Sequence, residues 1–438
     1  MPKTHLQLKG LKPKGILARL LLAFVLVFGC VYAHPVPALA DVRASDLVAN
    51  KPLGENHTQV PDAPDVVADY AALCTKDGTI LWERNGTAQT YMASTTKIMT
   101  AMVALDTSSP DTPMYVTNGA ANMEGSSASL EVGDTLPLKD LITCMMVPSG
   151  NDAAVAIAEN IAGTEFAFVD MMNAKAAQLG MTGTHFSNAS GVTDDGNYTT
   201  AEDYLKLTRY AMSNDLFRQA VSQSEATVDI DGREVDYEST NQLLTTMDGV
   251  NGVKTGFTDA AGYCVVASAQ RNDFELYAVV FHSSDENQRF VDAQTILEWG
   301  FAHYRPVQLI DDTTTVANLS CISWIDTTVP VVAQSPVSVD VFDYQGPITQ
   351  EVTLTEKAGA ISKGDVVGSV VWTQNQEVLA QVNLVAADDV AAPGFWEGVG
   401  IWWKRLWYNF TGAPKQATST TILPSTFDLK IANVDDQQ

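Results

Sequence analysis

The sequence predicts an α+β fold, with an antiparallel sheet covered by helices and a small all-β domain after it. Three observations carry this expectation. Helical periodicity is concentrated in the middle of the chain, in 94–106, 151–162 and Thr200 to Met212. Strand-like segments flank it, Ala71 to Asn85 before and Gly252 to Ser283 after, an order that suits a sheet packed under helices. From about Arg305 the character changes to short alternating segments, which marks a separate unit.

The 438 residues, 46% of them hydrophobic, suffice for two or three domains. Residues 1–40 are read apart from the fold. Lys3, Lys9, Lys12, Lys14 and Arg19 precede an unbroken apolar run from Leu20 to Ala33, and the stretch ends in Ala38-Leu39-Ala40. A basic leader, a short apolar run and an Ala-x-Ala end make a secretory signal cut after Ala40. A retained span is the competing reading, but this apolar run is shorter than the roughly 20 residues a span needs. Lipidation at Cys30 is a third, for which Phe28 is a poor fit. The chain is thus expected outside the cell, on the outer face of the cytoplasmic membrane or in the wall.

With that leader removed, 21 Lys and Arg face 52 Asp and Glu, so the formal charge moves from −26 to −31. A field of this sign repels phosphate backbones and argues against nucleic-acid binding. Cys74, Cys144, Cys264 and Cys321 are scattered singly, without metal-like spacing, and are read as buried free thiols.

The elements follow in order. A polar lead covers 41–65 and the main domain 66–304. Ala71 to Asn85 is a hairpin turning at Asp77-Gly78. In 94–106, Ile98, Met99, Met102, Val103 and Leu105 are apolar nearly all round, which predicts a helix buried inside the domain. Residues 151–162 form an alanine-rich helix, and Thr200 caps another with Asp203 three residues on. Gly252 to Ser283 is strand, turn and strand, turning again at Arg271-Asn272-Asp273.

The small β domain, 305–390, contains the alternations Val337, Val339, Val341 and Val352, Leu354, and a hairpin across Gln374-Asn375-Gln376. Residues 393–411 hold four of the eight tryptophans, and Phe395, Val399, Trp402, Trp403, Leu406 and Phe410 share one helical face. That composition predicts a helix lying on a membrane surface, with docking on the β domain as the alternative. The acidic tail, 412–438, is expected to be disordered.

Three short motifs carry chemistry. Ser94-Thr95-Thr96-Lys97 is the only S-x-x-K, and three-residue spacing on a helix brings the hydroxyl and the amine together. A serine needs a neighbouring base, which a lysine supplies only when burial or nearby cations keep it neutral. The plain alternative is a capping serine and a surface lysine. Ser149-Gly150-Asn151 follows Val147-Pro148, so Ser149 sits on a loop where it could relay a proton, while Asn151 offers donor and acceptor to a peptide. Ser239-Thr240-Asn241 has the same S-x-N form and is read as turn or cap. Lys254-Thr255-Gly256 leads a strand into Phe257, where lysine and threonine can hold a carboxylate and Gly256 leaves room for substrate backbone. The motifs are 55 and then 105 residues apart, in the order that marks penicillin-interacting serine enzymes. No G-x-S-x-G and no H-E-x-x-H is present, and no cofactor or metal is called for.

From about Ala71 to Leu384 the chain resembles the low-molecular-mass penicillin-binding proteins of the D-alanyl-D-alanine carboxypeptidase family. Tyr91 to Thr100, Val147 to Ala154, Gly252 to Thr258 and His185-Phe186-Ser187-Asn188 carry the resemblance. It implies a β-lactamase/transpeptidase-like fold, and Ser94 as the acylated nucleophile that removes terminal D-alanine from peptidoglycan stem peptides. It also implies Lys97 as proton acceptor, Ser149 in proton relay, and Asn151 in substrate binding. Lys254 and Thr255 would bind the terminal carboxylate, and the N–H groups of Ser94 and Phe257 would form the oxyanion hole. β-Lactams would be covalent inhibitors and the membrane surface a partner. Ala189 stands where the family often has proline, a change expected to affect only a loop. A β-lactamase, a cross-link endopeptidase and a silent envelope-binding protein are the alternatives. Gly150 and the absence of an E-x-x-L-N segment speak against the first, and the intact motifs against the last.

Overall fold

The computed structural model describes residues 45–49, 51–52, 63–272, 274–427 and 429. The export signal expected over 1–40 lies outside them. The sheet of the main domain has seven strands: β1 (Asp46–Val48), β2 (Lys51–Pro52), β3 (Tyr70–Thr75), β4 (Ile80–Arg84), β9 (Val250–Thr258), β10 (Gly262–Arg271) and β11 (Phe274–Ser283). They run in the order β2-β1-β4-β3-β11-β10-β9, antiparallel throughout, so β9 is an edge strand among the described residues. Between β4 and β9 lie the short strands β5 (Pro113–Tyr115) and β6 (Thr135–Pro137) and the hairpin β7 (Glu225–Ile230) and β8 (Arg233–Glu238).

The helices of the domain are α1 (Lys97–Thr107), α2 (Asn118–Ala121), α3 (Leu138–Met146), α4 (Asn151–Ala162), α5 (Glu165–Gln178), α6 (Ala201–Met212), α7 (Asp215–Val221), α8 (Leu243–Thr246) and α9 (Gln288–His303). The sheet is buried on both faces. Cys74, Cys264, Val266, Tyr277 and Val279 point into the core shared with α1, α4 and α6, while Leu73, Val265, Ala267, Leu276 and Ala278 point into the core shared with α9. The period of two along each strand sorts the residues, and covering both faces explains why β10 and β11 read as nearly continuous apolar runs.

Ile98, Met99 and Met102 of α1 are fully or almost fully buried, each contributing about 1.5–3 kcal/mol by burial. The helix begins three residues later than its apolar pattern predicts. Ala93–Thr96 is a 3-10 turn instead, opening on Ala93 with a left-handed φ of 47°.

The described part of the polar lead, 45–49, 51–52 and 63–65, includes a strand of the domain's sheet. β1 extends the sheet beyond β4, and Asp46 makes a buried bidentate pair with Arg84, at 2.7 and 2.8 Å. The boundary at residue 66 therefore falls too late, because a lone acid in a polar segment gives no sign of a buried partner. All four cysteines outside the leader are buried and free.

After α9 come β12 (Tyr304–Ile310), β13 (Ala317–Ser320), β14 (Thr328–Ala333), β15 (Val337–Phe342), β16 (Ile348–Leu354), β17 (Val366–Gln374) and β18 (Glu377–Ala386). They enclose a core of their own around Trp372, whose indole N–H donates to Gln350 Oε1 at 2.9 Å. Trp299 and His303 of α9 pack against Phe342 and Tyr344, so aromatic side chains fill the junction.

The expectation of a disordered tail fails for its first half. β19 (Thr420–Thr421) pairs with β13 and β20 (Thr426–Phe427) with β16, covering both edges of the five strands between them and completing the seven-stranded sheet β19-β13-β14-β18-β17-β16-β20. Ser419 to Phe427 carries no charge and offers the backbone those edges lack. Helix α10 (Phe395–Thr411) buries none of its residues. Arg405 donates to the carbonyls of Ile322 and Trp324, while Phe395, Trp396, Trp402, Trp403, Trp407 and Phe410 are exposed. Among the described residues no helix is long and apolar enough to cross a membrane.

Candidate active site

The 3-10 turn gives Ser94 and Lys97 their relation, since three residues per turn place i and i+3 directly above one another. Lys97 is fully buried, and its Nζ lies 3.0 Å from Ser94 Oγ, 2.7 Å from Asn151 Oδ1 and 2.6 Å from the carbonyl of Ser190. Two of these neighbours can only accept; Ser94 Oγ alone carries a proton. A neutral amine has two N–H donors and one lone pair, and it matches this set with the lone pair toward Ser94. Burial, then the cation of Lys254, pushes the Lys97 pKa well below its ordinary value. Ser94 is not a cap: no side chain caps either the turn or α1.

The loop between α3 and α4 carries the second motif. Ser149 is buried with φ of 70°, a left-handed conformation that a non-glycine residue adopts at a cost of about 1–3 kcal/mol. Asn151 stands at the start of α4 with both ends of its amide engaged. Oδ1 accepts from Lys97, and Nδ2 donates to the carbonyl of Glu124 at 2.6 Å. The sequence assigns this amide to the substrate; within the fold it holds the lysine. Asp152 braces the facing loop, accepting from the Ala128 N–H at 2.9 Å and the Ser127 hydroxyl at 2.6 Å.

Strand β9 closes the third side. Lys254 is buried, donates to the Thr255 carbonyl at 3.0 Å, and has its pKa pushed down to about 7 by burial and by Arg289. Gly256 packs on the turn rather than on open space. A Cβ there would lie 3.0 Å from Ser94 N and 3.1 Å from the Met92 carbonyl, so its bareness lets β9 approach Ser94. Phe257 is half-exposed and stacks on Tyr263, with centroids 4.3 Å apart.

Three contributors escape the sequence. Arg289 on α9 is buried and donates to the Gly256 carbonyl at 3.2 Å, with no motif around it. The loop 187–191 supplies the Ser190 carbonyl, and Gly191 at φ 89° passes so close that a Cβ would stand 2.0 Å from the Ala93 carbonyl. Ala189 matters more than a loop change suggests. Its N–H donates to Glu165 at 2.9 Å and its carbonyl accepts from Thr100, fixing the segment that holds Lys97.

A half-buried serine beside a buried lysine, with a second buried lysine next to them, suits acyl transfer to a substrate bearing a carboxylate. Sequence comparison decides which. Residues 57–285 match the profile of the D-alanyl-D-alanine carboxypeptidase family, and residues 304–392 that of the penicillin-binding protein 5 C-terminal domain. The chain belongs to the D-alanyl-D-alanine carboxypeptidase family. It is 30% identical to D-alanyl-D-alanine carboxypeptidase DacF of Bacillus subtilis, over 75% of this chain and 87% of that one. It is likewise 30% identical to DacC of Escherichia coli, over 77% and 88%. Among solved structures, the carboxypeptidase DacD of Francisella tularensis aligns with a TM-score of 0.56 at 26% identity, covering 77% of this chain and 97% of that one. The Streptomyces K15 DD-transpeptidase aligns with a TM-score of 0.53 at 31% identity, covering 55% and 98%. The chain is a serine-type D-alanyl-D-alanine carboxypeptidase with the fold of these DD-peptidases.

Proposed function

We propose that the chain removes the terminal D-alanine of peptidoglycan stem peptides through an acyl-enzyme on Ser94. The observation that carries this is the Lys97 environment, two pure acceptors and one hydroxyl around a buried amine. Ser94 Oγ attacks the carbonyl of the penultimate D-alanine as its proton passes to Lys97 Nζ. The N–H groups of Ser94 and Phe257 receive the oxyanion, an interaction whose loss typically costs about 10²–10³ in rate. The C–N bond breaks, and the departing amine takes a proton relayed through Ser149. Water then cleaves the ester by the reverse route, with Lys97 again as base. Asn151 orients Lys97, while Lys254, Thr255 and Arg289 form the seat of the terminal carboxylate. β-Lactams acylate the same serine.

The enzyme acts at the outer face of the cytoplasmic membrane, resting on α10. Supporting this are its exposed aromatic side chains, which suit the headgroup region, and the use of Arg405 to hold the helix to the β domain. Charged substitutions at Trp402, Trp403 and Phe410 are expected to abolish co-sedimentation with anionic vesicles and leave D-alanine release unchanged.

The test is D-alanine release from a soluble peptide ending in D-Ala-D-Ala, compared between the chain and Ser94→Ala. Release confined to the parent supports the reading. Equal release from both would overturn it.

A further inference from the structure

The segment Ser239-Thr240-Asn241 is only partly the turn its composition suggests. Asn241 Oδ1 accepts from the Leu243 N–H at 3.3 Å and Ser239 Oγ from the Asn241 N–H at 3.2 Å, the local turns that asparagine and serine side chains form with the backbone two residues on. Thr240 between them does something else. Its N–H donates to the carbonyl of Val147 at 3.2 Å, two residues before Ser149. Its hydroxyl lies 2.6 Å from the hydroxyl of Thr255. One exposed residue thus touches both the loop of the second motif and the strand of the third.

The donor and acceptor capacity of the two hydroxyls determines what the second contact does. Two hydroxyls at this distance share a single proton between them. A carboxylate only accepts, so a hydroxyl that binds it must spend its own proton there. For Thr255 to do so, the proton between the two threonines has to come from Thr240. A hydroxyl that receives a bond is also a stronger donor.

We propose that Thr240 is a positioning residue: it donates to Thr255 Oγ1, commits the Thr255 proton to the cleft, and thereby sets affinity for substrates ending in a free carboxylate. This rests on the reading of Thr255 as part of the carboxylate seat. Its backbone bond to Val147 keeps the Thr240 hydroxyl in place and survives any side-chain substitution. Because Thr240 is exposed, removing its hydroxyl does not open the core.

The test compares Thr240→Val, Thr240→Ser, Thr255→Val and the double valine variant in the full chain, measuring kcat and KM for D-alanine release together with Tm. Thr240→Val is expected to raise KM by about 3–10-fold, the range of one net hydrogen bond. It should leave kcat within about twofold and Tm nearly unchanged, and Thr240→Ser should restore KM. The double variant should be no worse than Thr255→Val alone, since both changes remove one chain of donors. An unchanged KM in Thr240→Val, with KM raised in Thr255→Val, would overturn the inference alone. An unchanged KM in Thr255→Val would overturn the reading beneath it. Additive losses, or a fall in kcat and Tm that serine does not restore, would reduce Thr240 to a structural residue.

Discussion

Asn151 Oδ1 accepts a 2.7 Å hydrogen bond from Lys97 Nζ, so the amide of the second motif holds the amine of the first. A neutral acceptor at that position orients the lysine without favouring its charged form as a carboxylate would. Asn151→Asp puts an anion there and raises the Lys97 pKa. Lys97 then stays protonated at neutral pH, and the base returns only as pH rises through the new value. The acid limb of kcat/KM is expected to move to higher pH in Asn151→Asp. A limb left where it was would show that Lys97 is not the base.

Lys254 supplies a second pH signature of opposite sign. With its pKa pushed down to about 7, it is a cation only below that point in the free enzyme. Affinity for a terminal carboxylate is therefore lost as pH rises through about 7. We expect a basic limb in kcat/KM there, absent from kcat because the bound carboxylate stabilises the charged lysine, and absent from both in Lys254→Gln. A flat kcat/KM between pH 6 and 9, on the order of the range where stability permits, would contradict this.

Gly191 tests the third neighbour of Lys97. Its φ of 89° disfavours any side chain, and a Cβ would stand 2.0 Å from the Ala93 carbonyl and 2.9 Å from Ser94 N. Gly191→Ala must push the loop away and take the Ser190 carbonyl with it. A stability loss of about 2 kcal/mol and at least a tenfold slower acylation by a reporter β-lactam are expected. Unchanged Tm and acylation would mean that the loop yields without disturbing the site.

How much of this was legible depended on whether a group has a side-chain signature. Ser94 and Lys97 were, because one helical turn joins them. Lys254 and Thr255 were, because a strand leads them into Gly256. The carbonyls of Ser190 and Glu124 were not, since any residue has one and they come from loops 93 and 27 residues away from the atoms they serve. Arg289 is one cation on a helix with no motif. The strands β19 and β20, two residues each, are too short for any period to reveal. Helix α10 was legible as a helix from its spacing, yet the Arg405 contacts that hold it were not.

Asp46 is the residue whose importance the sequence hides most completely. Its bidentate pair with Arg84 is buried on both sides, and Arg84 also donates to the Val66 carbonyl at 2.6 Å. Asp46→Ala strands a guanidinium and should cost about 3–5 kcal/mol. Chemical denaturation measures it. A loss below about 1 kcal/mol would place Asp46 outside the folded domain.

The claim on which everything else rests is that Ser94 forms the acyl-enzyme. Peptide mapping by mass spectrometry after brief exposure to a penicillin and a denaturing quench tests it most directly, because unfolding stops the enzyme from hydrolysing the drug's ester. We predict one adduct, on the peptide containing Ser94, and none in Ser94→Ala. An adduct on the Ser149 peptide, or one that persists in Ser94→Ala, would contradict the account.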